Sequence, residues 1–295
     1  MKMGYACQNL TLPTTFRTCR LITMEKEGME KIKELTLSNI EMLKKVITWN
    51  IEQNIYFFRV SSDMIPFATH PKMTWRWQED TDLRENLDEI HQLQQAHDLR
   101  LSMHPGQYTV LNSPKEHVVH NAIKDLEYHA DFLHFIGGSD MILHTGGAYG
   151  DKEKAKKTFI KAYHDLSENV RRYLRLENDD KTFHTADVLA ISKECGVPIC
   201  FDIHHELCFE RTMPELERLI EEVIQTWDHI SLVPKMHLSS GKRSMKDPAH
   251  ADFIRPEDFK RLIILTEPYE VDIMLEAKAK EKALLQLWEE VSEHE

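Results

Sequence analysis

The chain alternates between two hydrophobic periods. Apolar runs of strand length fall at 2–7, 55–62, 100–105, 140–146, 173–178, 198–205, 232–240 and 269–278, and predict strands. Between them, apolar residues recur every three or four positions at 26–53, 83–97, 115–136, 151–171, 184–195, 214–227, 256–265 and 278–293, and predict helices. Ser113 with Pro114, Asp151 and Thr185 are start signals before periodic runs, and Gly137 and Gly196 are stop signals. Eight strand-then-helix units in 295 residues match the count and size of a (β/α)8 barrel, so the expected fold class is α/β, a TIM barrel. An open doubly wound sheet is the rival, but no GxGxxG follows a strand and no GxxxxGK[ST] occurs. No Pro/Gly/Ser-rich linker interrupts the sequence, which favours a single domain over 1–295.

Six of the strand-like runs end on a side chain that can bind metal: His104, His144, Glu177, Asp202, His237 and Glu276. In a barrel, the C-terminal strand ends share one mouth, so residues far apart in sequence converge there. Two-residue alternation also puts Lys235 on the face of His237, Arg175 on that of Glu177, and Cys200 on that of Asp202. Inward imidazoles and carboxylates are costly unless they hold a cation or are hydrogen-bonded. One such residue has an ordinary structural explanation; six would need six separate ones. By contrast, His129, His134 and His164 fall on predicted helices and are expected to be surface or capped residues. A His, Glu and Asp set without cysteine suits Zn, Mn, Fe or Co. Six ligands exceed one tetrahedral ion, so two or three ions sharing carboxylates are expected, with Glu177 and Glu276 as candidate bridges. Ions about 3.5–4 Å apart acidify a bridging water and clamp phosphoryl oxygens, so the implied chemistry is metal-assisted hydrolysis or, alternatively, sugar isomerisation.

Composition sets outer limits. The balance of 37 basic against 49 acidic residues, net −12, does not advertise a nucleic-acid binder. Its distribution is more informative: the predicted mouth loops carry Arg17, Arg20, Lys115, Lys242, Arg243 and Lys246, whereas acids gather at 214–228 and 286–295. A basic rim on an acidic body is compatible with DNA, and bound cations would add to it. Five cysteines without a CxxC pair imply reduced thiols. MKMGYACQNLTLP lacks the apolar stretch of a signal peptide, and no run reaches the roughly 18 apolar residues of a membrane helix. A soluble cytoplasmic protein with no membrane association and no obligate protein partner is expected.

The segments SMHPGQYTVLNSP (102–114), LHTGG (143–147), LEND (176–179), FDIHHE (201–206), KMHLSS (235–240), AHADFI (249–254) and MLEAK (274–278) together resemble the ultraviolet damage endonuclease family, from MGYACQN at 3–9 onward. The resemblance implies a TIM barrel related to endonuclease IV with a divalent metal cluster, manganese ahead of Zn, Co or Mg. It implies nicking of damaged double-stranded DNA 5′ to ultraviolet photoproducts such as pyrimidine dimers and other lesions. The products would be a 3′-hydroxyl and a 5′-phosphate, opening a repair route independent of nucleotide excision.

Carried onto this chain, the resemblance has His104 and His144 hold one metal with Glu177, and a second sits among Glu177, Asp202, His237 and Glu276. His205 and His250 belong to a third, with Asp252 a further candidate. Strict alternation would put His204, not His205, beside Asp202; the family's Asp-x-x-His spacing and a strand ending by Ile203 select His205. His70 and Lys235 are the catalytic candidates: His70 would contact the scissile phosphate or its water, and Lys235 would be neutral, carboxylated or paired with an acid. Gln107 and Tyr108 would probe the lesion, with Tyr5 and Asn9 as a second pair, although Tyr5 taken alone reads as a core aromatic. The alternatives are an abasic-site endonuclease of the endonuclease IV type, a divalent-metal sugar isomerase, and a non-enzymatic metal-storing barrel. The long basic loop 239–253 fits the isomerase poorly.

Overall fold

A computed structural model of the chain describes residues 1–13, 15–209 and 211–292. Eight strands, β1 (Met3–Ala6), β2 (Phe57–Arg59), β3 (Arg100–Met103), β4 (Asp140–His144), β5 (Leu174–Glu177), β6 (Ile199–Asp202), β7 (Lys235–Leu238) and β8 (Asp272–Leu275), close into a parallel barrel in chain order. The helices around and above it are α1 (Leu21–Glu27), α2 (Met29–Glu52), α3 (Thr81–Ala96), α4 (Glu116–Ile136), α5 (Lys152–His164), α6 (Glu168–Tyr173), α7 (Thr185–Cys195), α8 (Ile203–Leu207), α9 (Met213–Gln225), α10 (Pro256–Thr266) and α11 (Glu281–Ser292). The fold is the expected (β/α)8 TIM barrel.

The differences from the sequence reading have local causes. The helix predicted over 151–171 divides into α5 and α6 because the Ser167 hydroxyl accepts from Val170 N at 3.1 Å and starts a new helix. Helix α3 begins before position 83 because the Asp80 carboxylate caps it, accepting from Leu83 N at 3.1 Å. The strands are shorter than the apolar runs, since residues beyond the hydrogen-bonded ladder turn into loops. Residue 293 of the last predicted helix lies outside the described residues.

Two buried regions result. The large apolar core lies between barrel and helices and includes Leu43, Leu101, Phe132, Leu176 and Phe201. The barrel interior is different: its apolar cluster is Ala6, Phe57 and Met274. Gly4 belongs to this crowded wall, where a Cβ would fall 2.3 Å from the Phe57 carbonyl oxygen. Apart from Ile142 and Cys200, the rest of the interior is polar and forms two layers.

The deeper layer, the floor, contains Arg100, Asp140, Arg175, Lys235 and Asp272, all buried. Arg100 donates to Asp140 at 3.0 Å and to Asp272 at 2.9 Å, and Lys235 donates to Asp140 at 2.6 Å. Three cations meet two carboxylates here, and aromatic faces take up the excess. The Arg175 guanidinium lies 5.3 Å from the Trp227 ring and the Lys235 ammonium 5.4 Å from the Phe57 ring.

Candidate metal centre

The strand register assembles the upper layer. In the ladder His144 stands beside Glu177, and Asp202 beside His237. Glu276 follows β8, its N–H donating to Leu238 O at 2.9 Å. His104 follows β3 directly.

Glu177 is the hub. One carboxylate oxygen lies 3.2 Å from His104 Nε2 and 3.4 Å from His144 Nε2; the other lies 2.7 Å from His237 Nδ1 and 4.0 Å from His205 Nδ1. Glu276 lies 3.2 Å from His237 Nδ1 and is bonded by the Arg59 guanidinium. Three overlapping groups have ligand atoms within 4.8 Å of one another: His104, His144 and Glu177; Glu177, His237 and Glu276; Glu177, Asp202 and His205. Glu177 belongs to all three. His250 stands at the edge, its Nδ1 3.8 Å from Glu276, and Asp252 is exposed outside these groups.

The choice between His204 and His205 turns on where β6 ends. The apolar run predicted a strand to 205, but Asp202 closes the strand and caps α8, its carboxylate accepting from His205 N at 2.9 Å. The chain then turns at helical pitch, so the third residue on, rather than the second, returns to the aspartate. His205 Nδ1 comes 3.6 Å from Asp202 and donates to Asn178 O at 2.9 Å. His204 faces the loop after β7 and donates to Asp247 O at 3.0 Å.

The electrostatics suit cations. Burial would raise the Glu177 carboxyl, yet His237 and His144 hold it well below the usual range. Glu276 is likewise buried but is held low by Arg59 and His237. Burial would lower His205, but Asp202, Glu177 and Glu276 outweigh it and lift this imidazole to about 9. Burial pushes His144 down. Asp202 Oδ2, 3.6 Å from His205 Nδ1, is buried without a hydrogen-bond partner, which is expensive in an ordinary interior and expected where a cation sits. The donors are imidazole and carboxylate, so the residues fit borderline or hard divalent ions.

The remaining expected site residues have varied settings. Gln107 and Tyr108 are exposed, Tyr108 at 84%, on a turn closed by Thr109 N donating to Gly106 O at 2.9 Å. Thr109 ties this turn to α4 by a 2.5 Å bond to Asp125. On one side of the turn a cavity of about 360 Å³ is bounded by Gln107, His144, Gly146, Asp180 and His205. On the other, about 590 Å³ is bounded by Ser62, His70, Tyr108, Asp125 and His129. His70 packs edge-on to Phe67 there and is in none of the three ligand groups.

Lys235 resolves among its sequence alternatives to pairing with an acid, Asp140, on the floor; burial pushes its ammonium below the ordinary value. Tyr5 and Asn9, expected near the damaged nucleotides, are buried. Asn9 Nδ2 donates to the Tyr5 hydroxyl at 2.9 Å, which donates to Asn50 at 2.6 Å. Asn9 Oδ1 accepts from Thr11 N and Leu12 N, so the pair shapes the loop after β1. His129, expected at the surface or in a cap, is buried, its Nδ1 donating to Asp125 O at 2.6 Å. The apolar face of α4 includes position 129, a signal the residue's polarity obscured. His134 and His164 are exposed, as are Arg17, Arg20, Lys115, Lys242, Arg243 and Lys246.

Sequence reasoning overlooked several supports. Arg59 escaped notice because β2 ends on a cation; alternation from inward Phe57 could have found it. Asn178, inside LEND, brackets Asp202 with bonds of 2.9 and 2.8 Å as well as holding His205. Lys278 and Lys280 border a cavity of about 270 Å³ with Arg59, His250 and Glu276, adding basic groups to the rim.

Comparison with known proteins gives consistent results. A family model described as UV-endonuclease UvdE matches residues 1–295. The UV DNA damage endonuclease of Clostridium perfringens (strain 13 / Type A) is 37% identical over 285 residues, covering 95% of this chain and 68% of that protein. The crystal structure of SacUVDE superposes with a TM-score of 0.90 at 34% identity, covering 99% of this chain and 98% of the other. Endonuclease IV from Thermus thermophilus, at 14% identity and a TM-score of 0.61 over 99% of this chain and 100% of the other, shares the fold.

Proposed function

The chain belongs to the UV-endonuclease UvdE family of enzymes acting on DNA, and on that footing we propose that it is a single barrel domain of the cytoplasm that nicks double-stranded DNA 5′ to pyrimidine dimers and other lesions. The observation that carries the metal-dependent part of this reading is the position of Glu177 in three overlapping ligand groups. A cluster of two or three divalent ions, manganese ahead of zinc, cobalt or magnesium, would be held by His104, His144, Glu177, Asp202, His205, His237 and Glu276, with His250 at its edge. Such ions supply Lewis acidity toward phosphoryl oxygens and an acidified water.

The chain's own residues do the rest. Arg59 and Asn178 fix the orientation of Glu276, Asp202 and His205. Gln107 and Tyr108, exposed on a pinned turn, enter the duplex where a lesion weakens stacking. His70 approaches the scissile phosphate from the neighbouring loop. Lys235, paired with Asp140 on the floor, anchors the strand that carries His237. Tyr5 and Asn9 act on the damaged nucleotides through the loop they hold. The exposed lysines and arginines of the rim engage the backbone.

The test is incubation with Mn²⁺ and either irradiated or untreated supercoiled plasmid. Nicked circles should form from irradiated DNA alone and carry 3′-hydroxyl ends. Equal nicking of both plasmids, or cleavage restricted to abasic sites, would replace this reading with that of an abasic-site endonuclease.

A further inference from the structure

Among the described residues, the exposed aromatic side chains are Tyr108, Tyr149 and Phe253, at 84%, 53% and 40%. All three lie on loops at the barrel mouth, following β3, β4 and β7. Tyr149 is the one whose backbone resists its own residue type. Its φ is +49°, in the left-handed region where a bulky side chain is an outlier and Gly or Asn is preferred.

The loop is built to hold it there. Gly146 and Gly150 flank it with φ of +110° and +86°. Asp151 N donates to Ala148 O at 2.9 Å, and Asn112 Nδ2 donates to Gly147 O at 2.9 Å. The Tyr149 ring lies over Gly147, close enough that a Cβ at 147 would stand 3.0–3.3 Å from ring atoms. Gly147 and His144 also line the 360 Å³ cavity, and Gln107 lines it too. An aromatic ring is thus presented to solvent on the β4 side of a cavity that touches the metal ligands, while the Gln107–Tyr108 turn supplies another part of its lining.

We propose that Tyr149 is a second DNA-contacting aromatic, stacking on an unpaired or extruded nucleobase at the β4 side of the mouth. The inference rests on the DNA-nicking reading above. An apolar ring beside an ion-binding cavity fits a ligand that is both anionic and aromatic, and a nucleotide is both. At φ +49° asparagine would be less strained than tyrosine, so the backbone conformation itself gives no reason for a ring at this position.

The test compares the wild type with Tyr149→Asn and Tyr149→Phe in single-turnover nicking of an irradiated duplex. The readouts are the protein concentration at half-maximal rate, Tm and bound metal. Loss of a base stack should raise the half-maximal concentration of Tyr149→Asn about 5- to 150-fold. Its Tm should hold or rise by about 2 °C, and metal content should not change. Tyr149→Phe should behave like wild type. An unchanged half-maximal concentration in Tyr149→Asn overturns the inference, as does a Tm that falls together with DNA affinity, which would make the ring a packing element. A wild type that fails to nick irradiated DNA overturns the endonuclease reading instead, so the two failures are distinguishable.

Discussion

The floor of this barrel is buried and its mouth partly so; both are charged and built from the same strands, yet they differ in how their charges are met. On the floor, Arg100 and Lys235 find Asp140 and Asp272 at 2.6–3.0 Å, and Arg175 lies over Trp227. In the mouth, three groups of potential ligands converge on one carboxylate, and Asp202 Oδ2 has no hydrogen-bond partner. The floor carboxylates are met by protein cations, although Arg175 Nε itself is unpartnered, whereas the mouth crowds imidazoles and carboxylates into groups that suit an ion. Buried charge alone therefore does not mark a functional site; convergence of ligand-type side chains on one carboxylate does.

The largest test of this contrast is Glu177→Ala. It removes the residue common to all three groups, so bound metal should be lost and nicking should fall by more than the roughly 10- to 100-fold loss typical of a residue that only orients a ligand. The far-ultraviolet circular dichroism spectrum should be that of the wild type. Full activity in a metal-depleted Glu177→Ala protein would remove the mouth from the chemistry.

The complementary change is Asp140→Ala, which leaves Lys235 and Arg100 buried beside a missing partner. Stability should fall by about 3–5 kcal/mol, the range for breaking one side of a buried pair, as read in urea unfolding. The surviving folded fraction should still bind metal. A variant as stable as wild type but unable to bind metal would reverse the roles assigned to the two layers. Chelation comes next in size. If the mouth is loaded to about 100 times its dissociation constant, stripping the metal should lower stability by about 2.7 kcal/mol, and Glu177→Ala should not respond to chelator at all.

The same contrast explains what could be read from the sequence. The barrel and the convergence of the six strand-end candidates were legible because strands impose a two-residue rhythm and a common end, which a linear pattern records. The floor was half legible: alternation put Arg175 and Lys235 inward, but the pairing of Lys235 with Asp140 joins β7 to β4, and no local pattern encodes that contact. Alternation along the apolar run favoured His204, and only the family spacing and an early strand end selected His205; the aspartate cap, not hydrophobicity, is what stops the strand. Tyr5 and Asn9 were placed near the damaged nucleotides by resemblance; their buried bonds to one another and to Asn50, which set them beneath the loop after β1, are contacts no local pattern encodes. Arg59 and Asn178 were missed because they act on ligands, so their types signal no chemistry by themselves.

The pH dependence, small per unit of pH, separates the layers most finely. In the metal-free protein His205 is lifted to about 9 from 6.5 against its own burial, by Asp202, Glu177 and Glu276. A raised folded-state value means that its stabilising contribution is full below pH 6.5 and is lost as pH rises through about 9. Metal must displace that proton, so metal affinity should instead increase across the same window. On the floor, burial works against the Asp140 carboxyl, but Lys235 and Arg100 hold it far below the ordinary value. Its contribution is therefore constant above about pH 4 and is lost only on strong acidification. Between pH 6.5 and 9 the stability of metal-free protein should thus decline with a slope of at most about 1.4 kcal/mol per pH unit, the loss of one proton. His205→Asn should flatten that slope, and adding Mn²⁺ should turn it upward. An unchanged slope in His205→Asn would mean that the mouth, like the floor, already balances its own charge.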